Sequence, residues 1–370
     1  MPLNLFNSLL LDLLGMYEFK IKDSVNFVRE KKVKRLLLQF ADGLKPFSTL
    51  VAKEIEKEVK DVEVIISGDS CYGACDVAFD EALCVGADGL IHYGHTPFPE
   101  AYRYADKLGI NVYFIEAFSK VESLKALEKA LDLLRSMKNI RSIGLTTSVQ
   151  HAHDIPLVQR LLEKEGYRVF IGKGSDRVKY PGQVLGCDYT AAIAIGDKVD
   201  VFMHIGGGLF HAIGLGIISQ KPVILCDPYR REAKELTQEV SKLKAIRMYN
   251  VIKVKDEVKH YGIVVGCKWR QRHYYSALKI KRLLEGKGKK VTLVSLREVI
   301  PEALDNITEP EAFIITACPR IPIDDYDRYR RPILTVLEAL IVSGVLKLEE
   351  WSLCDWICNE KASCNYAFKS

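Results

Sequence analysis

Short apolar runs alternate with amphipathic stretches along the chain. Residues 36–40, 62–67, 89–93 and 112–115 are apolar runs bounded by glycine or polar turns, and 47–59 and 121–137 carry apolar residues at helical spacing. Strand-like runs alternating with helix-like segments predict βαβ units and parallel sheets. The runs are continuously apolar, as expected for strands covered on both faces.

The same order recurs along the chain. Cys75, Asp88, His92 and Gly94 have counterparts at a constant offset of 112 residues in Cys187, Asp200, His204 and Gly206. A third copy at 311–318, ending in Cys318, follows Asp200 at an offset of 111, and the next strand recurs at 111–114, 222–225 and 332–335. That period is too long for a solenoid unit and is the size of a small α/β domain. The predicted fold class is therefore α/β, with three similar small parallel-sheet, Rossmann-like domains at 20–137, 138–254 and 255–345. An amphipathic segment, 1–19, precedes them and a cysteine-containing tail, 346–370, follows. Linkers are expected at 138–141 and 254–259. Functional groups of open parallel sheets gather beyond the carboxyl ends of the strands. Three such ends meet most simply around a pseudo-threefold centre, where a central site is expected.

Composition narrows the class. Hydrophobic residues at 48% and charged residues at 27% exclude disordered and low-complexity classes. A net charge of +5 over 370 residues is short of a nucleic-acid footprint, so no direct nucleic-acid binding is expected. The apolar segment 1–17 lacks a basic start and a small-residue cleavage site. No stretch reaches the roughly 18 apolar residues of a membrane span. A soluble, cytoplasmic protein without a membrane partner follows as the expectation. In a reducing compartment the ten cysteines are free thiols, metal ligands or catalysts rather than disulfides.

Three of those cysteines, Cys75, Cys187 and Cys318, stand one per repeat in glycine- or proline-bounded turns. Converging thiolates suit zinc or an iron–sulfur cluster. Structural zinc takes four ligands, often as Cys-x2-Cys pairs, and the sequence has no such pair. A [4Fe–4S] cluster normally takes four cysteines; with three, one iron stays open for a substrate. Cys71 and Cys75 have the spacing that begins the radical S-adenosylmethionine motif, but Ala78 occupies its third cysteine position. Cys71 also aligns with Gln183 of the second repeat, so Cys75 is taken as the ligand and Cys71 as its neighbour.

Other turn residues are candidate cofactor contacts. Gly206, Gly207 and Gly208 end a strand and could bring backbone N–H groups to a ligand, although a tight turn explains them as well. Gln150 and Gln271 occupy similar first-turn positions, and His95 and His211 lie in turns on the cysteine side. Arg320 follows Cys318 and could offset thiolate charge. His92 and His204 are flanked by apolar residues and read as core histidines. Cys84, Cys226 and Cys267 read as apolar fillers, and Arg328, Arg330 and Arg331 as a solvated face. Cys354, Cys358 and Cys364 in the tail match no ligand spacing.

The motifs Tyr72-Gly73-Ala74-Cys75-Asp76, His92-Tyr93-Gly94-His95-Thr96-Pro97, Val149-Gln150-His151, Leu185-Gly186-Cys187, Gly208-Leu209-Phe210-His211 and Ala317-Cys318-Pro319-Arg320-Ile321-Pro322-Ile323-Asp324 resemble the archaeal enzymes of the first step of diphthamide synthesis, the 2-(3-amino-3-carboxypropyl)histidine synthase family. The resemblance covers all three repeats in order, roughly residues 30–340. It implies a transferase with one [4Fe–4S] cluster on Cys75, Cys187 and Cys318. It also implies S-adenosyl-L-methionine as co-substrate and a noncanonical radical cleavage of its Cγ–S bond. The 3-amino-3-carboxypropyl group then goes to carbon 2 of a histidine in translation elongation factor 2. A homodimer and an unidentified electron donor complete the expectation. Two alternatives stand beside it: a quinolinate-synthase-like [4Fe–4S] hydro-lyase, and a non-enzymatic, ribosome-associated zinc protein.

Overall fold

The structure is a computed structural model and describes residues 15–351. Most of the segment 1–19, and Cys354, Cys358 and Cys364, lie outside the described residues. In β1 (Arg35–Phe40), Leu36, Leu37, Leu38 and Phe40 are all buried. Neighbouring strand residues face opposite ways, so both faces of the strand are covered, as its apolar run requires. With β2 (Glu63–Ile66), β3 (Gly89–Tyr93) and β4 (Asn111–Ile115) it forms a parallel sheet in the order β2-β1-β3-β4.

The second sheet uses β5 (Ser142–Thr147), β6 (Arg168–Phe170), β7 (Val201–Ile205) and β8 (Val223–Asp227) in the equivalent order β6-β5-β7-β8. It adds β9 (Glu232–Glu235), an antiparallel edge strand. The third, from β10 (His260–Gly266), β11 (Lys290–Leu296), β12 (Ala312–Ile315) and β13 (Ile333–Leu334), again runs β11-β10-β12-β13. The internal repeat is thus three copies of one topology. A short antiparallel pair, Tyr17–Glu18 with Phe118–Ser119, closes the first copy.

The helical stretches read at 47–59 and 121–137 are helices Ser48–Glu58 and Leu124–Ser136. One reading fails. Residues 254–257, taken as part of a linker, are the last turn of a 21-residue helix, α2 (Thr237–Glu257), which follows α1 (Phe210–Ser219) in the second copy. Val251, Val254 and Val258 recur at helical spacing and join the core beside Tyr261, which the charged residues between them obscure. Midway along α2, Arg247 is fully buried and pairs with Glu338, also fully buried, on α4 (Val336–Val342). This pair ties α2 to the third sheet. Cys84 is a second correction: it is exposed rather than a core filler. On helix Phe79–Val85 the inward face is Phe79 and Ala82, and Cys84 falls on the other side. Among the described residues no helix is long and apolar enough to cross a membrane.

Candidate functional site

Each of the three repeat cysteines sits on a connection at the carboxyl side of its sheet. Cys75 lies between β2 and helix Phe79–Val85, Cys187 between β6 and β7, and Cys318 between β12 and the short helix α3 (Arg320–Asp324). All three are partly open to solvent, while Cys71 and Cys226 are buried. Their sulfurs lie within one another's fields. Burial, then the neighbouring Cys187, pushes Cys75 up to about 11. Burial, then Cys75 and Cys187, pushes Cys318 up to about 12. Groups so strongly desolvated and yet reachable from solvent line a concavity. Cys75 and Cys318 therefore resist ionisation unless a cationic centre sits among the three sulfurs, so the donor set fits a metal cluster.

Each sulfur also has one hydrogen-bond donor. Gln271 Nε2 donates to Cys75 Sγ at 3.5 Å, and Arg177 Nη2 donates to Cys187 Sγ at 3.3 Å. The backbone N–H of Arg320 points at Cys318. Arg177 lies over the Phe98 ring at 4.5 Å, and its Nε is buried without a partner.

The Cys75 turn is held by the third copy. Arg270 N–H donates to Cys75 O at 3.0 Å. Lys268 Nζ pairs with Asp76 at 2.5 Å and with Glu298 at 2.6 Å, and it reaches Ser70 O at 3.3 Å. Burial pulls the Lys268 ammonium down, but Asp76 and Glu298 more than reverse this and raise its pKa. The second copy braces the first through Gln150 Nε2 to Gly94 O at 2.7 Å and Gln183 Nε2 to Thr96 Oγ1 at 2.9 Å. The third copy reaches the second through Arg320 Nη2 to Phe210 O at 2.6 Å. Contacts therefore close a ring, first to second to third to first, around a pseudo-threefold centre.

The other candidates separate by what their side chains already do. Arg320 is buried, with its guanidinium bound to both carboxylate oxygens of Asp324 and lying over the Phe210 ring. Its side chain is a brace between copies, although its charge still lowers Cys318. A Cβ on Gly206 would meet His204 Nε2 at 3.0 Å, and one on Gly207 would meet the Tyr229 ring at 2.9 Å. Gly208 has φ of +73° and donates its N–H to Asp227 Oδ2 at 3.1 Å. Close packing and a left-handed turn thus account for the glycine run locally. His92 is buried on β3, as a core histidine should be, and hydrogen-bonds His95. His204 does the same job on β7 beside His211, bonding Thr146 Oγ1 at 3.1 Å. Burial lowers His95 to about 4 and His211 to about 3, so both are neutral.

Arg177 and Lys268 escaped the sequence reading. Lys268 lies in the same turn as Gln271 and could have been found there. Arg177 carries no motif, because its importance comes only from a fold that sets residue 177 beside Cys187.

Comparison with known proteins agrees with this architecture. Residues 40–357 match the family model described as diphthamide synthesis protein. The chain is 33% identical over 332 residues to the 2-(3-amino-3-carboxypropyl)histidine synthase of Pyrococcus horikoshii, covering 89% of this chain and 92% of that one. It is 28% identical over 336 residues to subunit 1 of the Aspergillus fumigatus synthase, covering 90% and 72%. The crystal structure of Dph2 from Pyrococcus horikoshii with a 4Fe-4S cluster aligns with a TM-score of 0.80 at 31% identity, covering 91% of this chain and 94% of that one.

Proposed function

We propose that this chain, which belongs to the diphthamide synthesis family and carries out the first step of diphthamide biosynthesis as a 2-(3-amino-3-carboxypropyl)histidine synthase, holds a [4Fe–4S] cluster on Cys75, Cys187 and Cys318. The observation that carries the ligand set is the convergence of one thiol from each sheet, every sulfur in the field of another and each with its own donor. When bound, the cluster supplies a low-potential electron and an iron without a cysteine ligand, the means to break the Cγ–S bond of S-adenosyl-L-methionine and free the 3-amino-3-carboxypropyl group for carbon 2 of a histidine in elongation factor 2.

The chain's own residues then have definable tasks. Arg177 stabilises the Cys187 thiolate by a charge-assisted hydrogen bond. Gln271 and the Arg320 N–H do the same for Cys75 and Cys318 as neutral donors. His95 and His211, being neutral, meet the co-substrate as hydrogen-bond partners rather than as cations. Gly206, Gly207 and Gly208 let a ligand approach the backbone ahead of α1, where Gly207 and Gly208 are exposed. Gln150 and Arg320 keep bracing roles. Tyr72, Leu209 and Phe210, all exposed, form an apolar rim near the cysteine turns that suits contact with the protein substrate. A homodimer in the cytoplasm, served by a separate electron donor, completes the reading. The family assignment displaces the hydro-lyase and zinc-protein alternatives.

The test is an anaerobic incubation of the reconstituted protein with dithionite, S-adenosyl-L-methionine and elongation factor 2. Mass spectrometry should find one 3-amino-3-carboxypropyl group on a single histidine of the factor. An unmodified factor, with the cluster intact, would refute the assignment.

A further inference from the structure

Cys71, whose counterpart in the second copy is Gln183, stands outside the proposed ligand set, yet it is far from idle in its surroundings. Its sulfur and ring nitrogens of His92 and His95 all lie within 4.8 Å of one another. Cys71 and His92 are buried, and His95 is partly open, which leaves a path from solvent. The hydrogen bonds around them fix where the imidazole lone pairs are. Gln39 Nε2 donates to Asp76 O at 2.6 Å, so its Oε1 faces the other way and accepts from Ala78 N–H at 3.0 Å. That same Oε1 lies 2.8 Å from His92 Nδ1, which must therefore carry its proton. His92 Nε2 is then a bare lone pair, and it takes a hydrogen bond from His95 Nδ1 at 2.9 Å.

We infer that Cys71, His92 and His95 form a second metal site, separate from the three-cysteine site, that binds one zinc(II) ion. One thiolate and two imidazoles suit zinc(II), a borderline-soft ion that takes Cys and His ligands with a water in the fourth tetrahedral position. Bonds of about 2.0–2.3 Å place the ligands of a tetrahedral zinc roughly 3.3–3.8 Å apart, so small side-chain rotations seat the ion. Gln39 supplies the outer hydrogen bond that metal-binding histidines characteristically make through their second nitrogen. Asp42 Oδ1, which accepts the Cys71 N–H at 2.9 Å, supplies compensating negative charge, and the fourth position is left to water. Binding releases one proton, from the Cys71 thiol; the His95 proton moves from Nδ1 to Nε2 without leaving the ring. Burial holds both imidazoles neutral, the form a metal needs.

The second copy provides an internal contrast. His204 and His211 repeat the histidine pair, but glutamine stands in place of the thiol, and Gln183 is turned to Thr96 instead. The zinc would link the turn that carries Cys75 to the end of β3, so it acts as a staple on the cluster-binding loop.

Full-length protein carrying its iron–sulfur cluster is dialysed against micromolar zinc(II), and zinc and iron are measured together. The inference predicts about one zinc per chain, lost in Cys71→Ser and in His92→Gln while iron is retained. Zinc absent from the wild type, or unchanged in both variants, overturns it. Iron reports separately on Cys75, Cys187 and Cys318, so failure of that site and failure of this one are distinguishable. As a second measurement, zinc-edge X-ray absorption of the zinc-loaded, cluster-bearing protein should show one sulfur and two imidazole nitrogens around zinc. A shell with two or more sulfurs, or with none, overturns the inference.

Discussion

Cys75 and Cys187 occupy corresponding turns of two copies of one fold, and they are held in opposite ways. Cys187 takes its hydrogen bond from Arg177, ten residues earlier in the same copy. Cys75 is held from across a junction, by Gln271 at its sulfur, Arg270 at its carbonyl and Lys268 at the neighbouring Asp76. Repetition of the fold places a thiol at each strand end, but it does not determine what grips it. The side-chain donor to Cys187 comes from its own copy, whereas the side-chain donor to Cys75 arrives only when the first and third copies dock.

The largest effect expected concerns the thiols themselves. Cys75→Ala, Cys187→Ala and Cys318→Ala should each remove the visible absorbance of the reconstituted cluster, and Cys71→Ala should leave it. Equal loss in all four would erase the distinction between ligand and neighbour. Next in size is Lys268→Met, which strands Asp76 and Glu298 without their cation. Lys268 and Asp76 are nearly fully buried, so breaking the pair should cost about 3 kcal/mol of stability in urea unfolding. It should also loosen the cluster. Unchanged stability and retention would remove the junction from the account.

Arg177→Gln should do the reverse, leaving global stability nearly unchanged and moving the cluster's midpoint potential down. One positive charge at about 6 Å, in an effective dielectric of about 20, is worth on the order of 100 mV to an added electron. A redox titration followed by electron paramagnetic resonance measures the shift. Gln271→Leu removes a neutral donor and should shift the potential the same way by roughly half as much. A larger shift from Gln271 than from Arg177 would invert the comparison.

The fold was legible because buried parallel strands are continuous apolar runs, and because a threefold repeat shows its own period. The three cysteines were legible because each copy carries one in a turn at the carboxyl side of its sheet, Cys75 and Cys187 ahead of the third strand and Cys318 just after it. The grips on them were not. Arg177 and Lys268 act across turns or across a junction, and no local pattern marks a charge that points inward. The end of α2 was missed because Lys253, Lys255 and Glu257 hide the buried stripe of Val251, Val254 and Val258. Arg320 was recognised as important, but its guanidinium serves Asp324 and Phe210, and only its backbone reaches Cys318.

The central claim is that three converging cysteines hold a cluster whose open iron directs cleavage to the Cγ–S bond. Its most direct measurement is the nucleoside released when the anaerobically reconstituted, dithionite-reduced protein meets S-adenosyl-L-methionine. The account predicts 5′-methylthioadenosine, absent when Cys187→Ala is used. Recovery of 5′-deoxyadenosine alone would contradict it.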